Sequence, residues 1–429
     1  MLADKTWKEC ITNIGDAEKI ITRLVELGFA KPSKIQSKTI PFALTRRNVG
    51  IIAQSHNGSG KTLGFALPAV LRVDLSKPLM KSKTTYSPQA IILAPNVELC
   101  TQIVKVVEMI AQPFPDLKVS SGDTPAHIIV RTPKRVLTLL SSKAIDLSST
   151  DLIVVDEADD QLSGESGSNL LQLVQKFPQG AGLFFFSATY TKESIDYVNA
   201  FFNKLGMKFV LRYMLAAEEL KLNGIYQFAK RCDEGTRKAD YIDKLLANLE
   251  TDMQIIIFAN TKKFAQMIFN ELQKKGHQIA LLMGGLQPQQ RSEIFNAFKK
   301  GQFKILMTTN LLARGFDQRT IGLVINLDIP RHYGENNKKA DCETYLHRIG
   351  RTGRFGDVGI ALNLYTTDEE KNMLDQIEKY YQIEIRDLSK VDDDKAFDML
   401  NKDMEQVVKI NTQKQASQGE NIQNYPQAK

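Results

Sequence analysis

The sequence predicts an α/β chain of two tandem parallel-sheet domains joined by a short flexible linker, and three observations carry that prediction. The first is length: 429 residues exceed what one ordinary core organises, and chains of this size divide into about two or three domains. The second is a recurring pattern of short apolar runs, each followed by a longer stretch of helical periodicity. The third is that the pattern stops near residue 205 and resumes near 225. Apolar runs without polar alternation suit strands buried on both faces, and strand–helix repetition builds parallel sheets covered by helices.

In the first half the runs are VGIIA (49–53), AIILA (90–94), HIIV (127–130), DLIVV (151–155) and GLFFF (182–186). In the second they are IIIF (255–258), IALL (279–282), ILMTT (305–309), LVINL (323–327) and GIALNLY (359–365). DLSKPLMKSKTTYSP (74–88) reads as a polar surface loop. LGMKFVLRYMLAAEELKLNGI (205–225) separates the halves, with Gly224 as a hinge. We assign 1–217 to an N-terminal domain, 218–224 to the linker and 225–400 to a C-terminal domain. Residues 401–429 are expected to lack fixed structure, because NTQKQASQGENIQNYPQAK is rich in Gln, Asn and Lys with few apolar anchors.

The net charge of +7 is spread along the chain, which permits a polyanion partner without requiring one. No run of about 18 apolar residues exists to span a bilayer, so no membrane partner is expected. The start, MLADKTWKEC, has no apolar stretch of the kind a signal peptide needs. Cys10, Cys100, Cys232 and Cys342 show no metal-ligand spacing and are expected as reduced thiols in a cytosolic or nuclear chain.

AQSHNGSGKT (53–62) follows the first predicted strand and opens an apolar helical stretch. In a phosphate loop, glycines let backbone N–H groups turn inward around phosphates, the lysine meets the β and γ oxygens, and the hydroxyl binds Mg²⁺. Gly58, Gly60, Lys61 and Thr62 supply those parts, with Ser55, Asn57 and Ser59 completing the loop. The strict pattern wants glycine at Ser55, and a plain glycine-rich turn is the alternative. LIVVDEADD ends a buried strand in carboxylates. Asp156 at the strand tip can hold Mg²⁺ through water, and Glu157 can orient and deprotonate an attacking water. Alone, that acidic strand end reads as a solvated turn or helix cap. Together the two motifs point to a nucleoside-triphosphate site at the carboxyl edge of a parallel sheet.

With Asp156-Glu157-Ala158-Asp159 and Ser187-Ala188-Thr189 in place, the chain resembles the DEAD-box ATP-dependent RNA helicases, from about residue 7 to about 390. That resemblance implies two RecA-like domains. GFAKPSKIQ (28–36) resembles the adenine-reading motif, implying that Phe29 stacks on the base and Gln36 bonds its edge. Trp7 stands for the aromatic residue that precedes this motif. IIIFANT (255–261), TTNLLARGFD (308–317) and HRIGRTGR (347–354) continue the match. It implies that Gly315 and Asp317 approach the ribose, and that Arg351 and Arg354 reach the γ-phosphate held by the first domain. The three arginines of HRIGRTGR have no acidic neighbour in the stretch, so we expect their anion to arrive from the other domain. Such arginines stabilise charge on a transferring phosphoryl group. Asp159, Ser187, Thr189 and His347 would couple nucleotide state to RNA state.

The resemblance also places single-stranded RNA against Thr132, Arg135, Asn260, Thr261, Thr309 and the 94–99 stretch, through sequence-tolerant contacts to the sugar–phosphate chain. Two departures stand out. Pro95-Asn96-Val97-Glu98-Leu99 replaces PTREL, putting an apolar valine where a phosphate-binding arginine is usual, and Lys134 stands where TPGR has glycine. Lys134 either compensates for the valine or obstructs the strand. DIPRHYGENNKKADCETYLHRIGRTGRFG carries a long polar loop, which, with Ser55, resembles the helicases of messenger RNA export at the nuclear pore. That subfamily implies a nucleoporin partner, an inositol-hexakisphosphate-dependent activator, a monomeric chain, and a cytoplasmic and nuclear location enriched at the pore. The regulatory N-terminal extension of relatives is not expected before Trp7. The expected function is RNA-stimulated ATP hydrolysis that clamps RNA, unwinds short duplexes and remodels RNA–protein complexes. The alternatives are an ATP-gated RNA clamp with weak hydrolysis, a family member acting in translation or ribosome assembly, and a DNA translocase.

Overall fold

The computed structural model describes residues 2–12, 14–56, 58–215, 224–232, 238–310, 320–332, 339–353 and 357–418. Asn57, Gly315, Asp317 and Arg354, and all but Gly224 of the expected linker, lie outside the described residues. The chain divides into two compact units, with the boundary between Leu215 and Ala216.

The first unit holds β1 (Val49–Gln54), β2 (Ala90–Leu93), β3 (Val119–Ser120), β4 (Ile128–Arg131), β5 (Leu152–Asp156), β6 (Gly182–Ser187) and β7 (Phe209–Tyr213). They form one sheet in the order β3-β4-β2-β5-β6-β1-β7, with every pairing parallel. Ile51, Ile92, Val154 and Phe186 face one layer of helices, and Ile52, Ile91, Ile153 and Phe185 face the other. Both faces are covered, which is why these strands read as unbroken apolar runs.

The second unit holds β8 (Ile225–Arg231), β9 (Gln254–Phe258), β10 (Ile279–Leu282), β11 (Ile305–Thr308), β12 (Ile321–Asn326), β13 (Gly359–Tyr365) and β14 (Arg386–Asp387). Their order is β10-β11-β9-β12-β13-β8-β14, again all parallel. Shifting every strand number by seven converts one order into the other. The expected class, tandem parallel-sheet α/β units, is what the chain forms.

Two strands add to the expected set, and one expectation is corrected. The separating stretch 205–225 contributes β7 to the edge of the first sheet, where its residues are half-buried or exposed. The same stretch ends on the start of β8, whose pairing with β13 runs from Ile225. Of the segment expected to lack structure, 401–429, the first part instead continues a helix, Asp393–Gln418, and 419–429 lie outside the described residues. Ala396, Phe397, Leu400, Met404 and Val407 recur at helical spacing on that helix and bury against the second core. Each large apolar side chain so buried stabilises by about 1.5–3 kcal/mol, enough to hold a segment of otherwise polar composition.

Candidate active site

Three motifs converge at the carboxyl ends of β5, β6 and β1, which are neighbours in that order. After β1, Gly58 and Gly60 adopt left-handed backbone, with φ of 77° and 91°, a conformation that side-chain-bearing residues avoid. At Gly60 an added Cβ would collide with the Gln36 amide, whose Nε2 donates to Gly60 O at 3.0 Å. The loop then delivers the helix Lys61–Leu71, leaving the first N–H groups of that helix at the sheet edge. Lys61 Nζ curls back to donate to Ser55 O at 2.6 Å. Ser55 N donates to Ser187 O at 3.1 Å. Among the described residues only Lys143, Glu157 and Gln382 carry a positive φ without being glycine, so the serine at position 55 has no need of glycine's freedom.

The residues expected to read adenine are anchored from behind. Trp7 is buried, and its indole N–H donates to Phe29 O at 2.6 Å. Phe29 is half-buried against the first core. Gln36 Oε1 accepts from Ser33 N at 2.8 Å in a capping box that starts the helix Lys34–Thr45. The Gln36 amide therefore ties the capping turn to the phosphate loop.

After β5 the chain turns sharply through Glu157, which sits in left-handed backbone at φ 49°. A non-glycine residue there stores about 1–3 kcal/mol of strain. The turn is held by Gln161, whose Nε2 donates to Leu93 O at 2.9 Å and to Asp156 O at 2.5 Å. Sequence reading missed Gln161; a polar residue five places after the strand end was the available signal. Burial, followed by the Glu157 carboxylate, pushes the Asp156 carboxyl up to about 8, while Lys61 opposes the shift. Thr189 Oγ1 donates to Asp159 Oδ2 at 2.6 Å, and Thr189 N donates to Ser187 Oγ at 3.3 Å. Those three expected coupling residues thus form one linked cluster beside the carboxylates.

Further along the first sheet, Thr132 caps the helix Pro133–Ser141 by accepting from Arg135 N at 3.4 Å. Arg135 pairs with Asp123 at 2.5 Å and Lys134 with Glu165 at 3.1 Å, all four side chains exposed. Val97, 61% exposed, lines a cavity of about 380 Å³ with Arg131, Thr132, Lys134 and Arg135. The valine and the lysine that depart from the family pattern therefore face the same hollow.

In the second unit, Asn260 and Thr261 follow β9, and Thr309 follows β11. Thr261 caps the helix Lys262–Lys274 by accepting from Phe264 N at 3.2 Å. His347, Arg348 and Arg351 lie on or just after the helix Cys342–Ile349. Arg351 Nε donates to His347 O at 3.0 Å. The expectation that the arginines lack a partner within their own domain does not hold: Arg351 makes that bond, and Arg348 is bonded throughout. Its Nε and Nη2 donate to Asn310 Oδ1 at 2.9 and 2.6 Å, and its Nη2 also to Asn260 Oδ1 at 2.6 Å. Its Nη1 donates to Asn326 Oδ1 at 3.3 Å and Asp328 O at 3.1 Å. A guanidinium has five N–H donors, and Arg348 spends them all inside its unit.

Two like sheets, a phosphate loop, a carboxylate pair and hydroxyl-lined strand ends define a tandem RecA-like nucleoside triphosphatase. Residues 33–198 match the DEAD/DEAH box helicase family, and residues 237–356 match the helicase conserved C-terminal domain. The ATP-dependent RNA helicase DBP5 of Ajellomyces capsulatus is 36% identical over 385 residues, covering 87% of this chain and 75% of that protein. The dbp5 helicase of Aspergillus oryzae is 34% identical over 420 residues, covering 95% and 83%. S. cerevisiae Dbp5 bound to RNA and ADP BeF3 aligns at a TM-score of 0.83 and 32% identity, over 94% of this chain and 99% of that one. This chain belongs to the DEAD-box family of ATP-dependent RNA helicases.

Proposed function

We propose that this helicase uses ATP turnover to clamp single-stranded RNA, separate short duplexes and remodel RNA–protein complexes in messenger RNA export. The observation that carries the catalytic assignment is the end of β5, where the buried Asp156 carboxyl, beside Glu157, lies within electrostatic reach of Lys61. In this reading Gly58, Ser59, Gly60 and Lys61 cradle the phosphates, with Ser55 and Asn57 lining the loop. Phe29 and Gln36 hold the adenine, and Gly315 and Asp317 the ribose. Glu157 takes the proton of the attacking water, and Arg351 and Arg354 balance charge on the transferring phosphoryl group. Thr132, Arg135, Asn260, Thr261 and Thr309 contact the RNA backbone. Asp159, Ser187, Thr189 and His347 link the two events.

The residues fit a divalent cation. The Asp156 carboxyl is buried and crowded by Glu157, a repulsion that positive charge relieves, and the Thr62 hydroxyl opens the neighbouring helix. Asp156, through water, and Thr62 would hold Mg²⁺, which when bound neutralises phosphate charge.

Relatives support the cellular setting. S. cerevisiae Dbp5 variants have been solved bound to Gle1 and IP6, and bound to Nup159, Gle1, IP6 and ADP. By that likeness this chain, acting as a monomer, engages a nucleoporin and an inositol-hexakisphosphate-dependent activator. It is then cytoplasmic and nuclear, enriched at the pore. Exposed Val97 favours one second reading, an ATP-gated clamp of weak turnover. The test is ATP hydrolysis against poly(U), with and without such an activator. Strong stimulation is expected; tight RNA binding without stimulation supports the clamp, and absence of RNA binding defeats both.

A further inference from the structure

Beneath the carboxyl edge of the second sheet runs a line of hydrogen bonds among side chains given no part in the reading above. Asn326 and Asn363 are register partners on β12 and β13, and both are fully buried. Asn326 Nδ2 donates to Asn363 Oδ1 at 2.8 Å. Asn363 Nδ2 donates to Phe228 O at 2.9 Å and to the Tyr345 phenol oxygen at 3.1 Å. The Tyr345 hydroxyl donates to Gln227 Oε1 at 2.7 Å. At the other end Asn326 Oδ1 accepts from Arg348.

A sheet core gains nothing in burial from such groups. Buried amides cost free energy unless every member is paired, and a paired network is rigid and directional where apolar packing is not. This network is paired along its length, and its direction leads to the surface. Tyr345 and Arg348 stand three residues apart on the helix Cys342–Ile349, on one face of it. The column therefore grips that helix at two points. Arg348 in turn fixes the amide oxygens of Asn260 and Asn310, which follow β9 and β11. Asn260 is held from two further sides: its N donates to Asp328 Oδ1 at 2.7 Å and its Nδ2 to Ile329 O at 2.9 Å; Asp328 itself lies 3.7 Å from Arg348.

We infer that the column Gln227–Tyr345–Asn363–Asn326 positions the RNA-binding edge of the second unit, by locking Arg348 and, through it, the turns that carry Asn260 and Asn310. These are positioning residues. They touch neither nucleotide nor RNA, and the inference rests on the RNA-clamp reading. If that edge is set by a buried column, loosening the column weakens RNA binding while leaving ATP binding alone.

The test uses the full chain and poly(U). Tyr345→Phe removes one oxygen and no volume of consequence. The RNA concentration giving half-maximal ATPase stimulation should rise about fivefold, with KM for ATP in the absence of RNA and kcat at saturating RNA each within about twofold of wild type. Adding Gln227→Met removes the acceptor that Tyr345→Phe leaves without its donor. The double variant should recover thermal stability but not RNA half-saturation. Arg348→Lys, which keeps the charge with fewer donors, should shift RNA half-saturation about tenfold. It carries the test if Tyr345→Phe does not fold. An unmoved RNA half-saturation in the folded variants, or recovery of stability and RNA response together in the double variant, overturns the inference. A wild type that RNA does not stimulate defeats the clamp reading and this one with it.

Discussion

The two units are the same frame carrying different chemistry. In each, the helix after the strand next to the sheet's last edge begins with a lysine, Lys61 after β1 and Lys238 after β8. Lys61 is reached through a left-handed glycine turn and donates to the carbonyl of its own loop. Lys238 is instead held by distant strand ends, donating to Leu327 O at 2.6 Å and Leu364 O at 3.2 Å, with Glu370 at 3.6 Å. The carboxylates diverge in parallel. Asp156 ends β5 beside a second acid, whereas Asp328 follows β12, accepts from Asn260 N and faces Arg348. Burial raises the Asp328 carboxyl and Arg348 opposes it. Corresponding strand ends thus carry the proposed phosphate site in one unit and an internally neutralised scaffold in the other.

The comparison can be broken most sharply at the reacting groups. Glu157→Gln should retain ATP and RNA binding while turnover falls by about 10³ or more, measured by RNA-stimulated phosphate release. Arg351→Ala should lower kcat by a comparable factor, about 10³, with ATP affinity nearly unchanged by fluorescent-nucleotide titration. Undiminished turnover there would remove the second unit from the chemistry. The paired lysines sharpen the contrast. Lys61→Ala should lower ATP affinity by about 10²-fold with little change in thermal stability, as expected for losing a charge-assisted phosphate contact. Lys238→Ala should leave ATP affinity intact but cost about 1–3 kcal/mol of stability in denaturant unfolding, because it strips Glu370 and two carbonyls of this donor. Gly60→Ala should cost about 1–2 kcal/mol and weaken ATP binding, since its φ is left-handed and its Cβ meets Gln36. Val97→Arg should have the smallest effect, tightening RNA by about fivefold, the worth of one exposed charge-assisted contact at low salt.

How much of this was legible varied with the physics of each element. Strands covered on both faces, such as β5 and β6, are written as unbroken apolar runs and were read almost to the residue. β7 lies half-exposed at an edge, and β8 buries Gln227 and Lys230, so neither reads as a central strand. Lys230 tolerates burial because Asp393, Leu388 O and Val391 O surround it, partners about 160 positions away in sequence that no local pattern announces. The phosphate loop and the carboxylate pair were legible because their spacing is local. The roles of the arginines were not, because spacing alone cannot separate Arg348 from Arg351. Asn260 lies 88 positions from Arg348, and only folding shows that the Arg348 guanidinium is already saturated.

Glu157 occupies a backbone conformation that glycine or asparagine would accept more readily. Selection for heat resistance alone should therefore drift away from glutamate at that position, gaining about 1 kcal/mol and yielding a sturdy but inert nucleotide carrier. On the role proposed for Glu157, keeping the acid there marks ongoing use, and a paralogue with glycine in its place would have abandoned turnover while retaining its architecture.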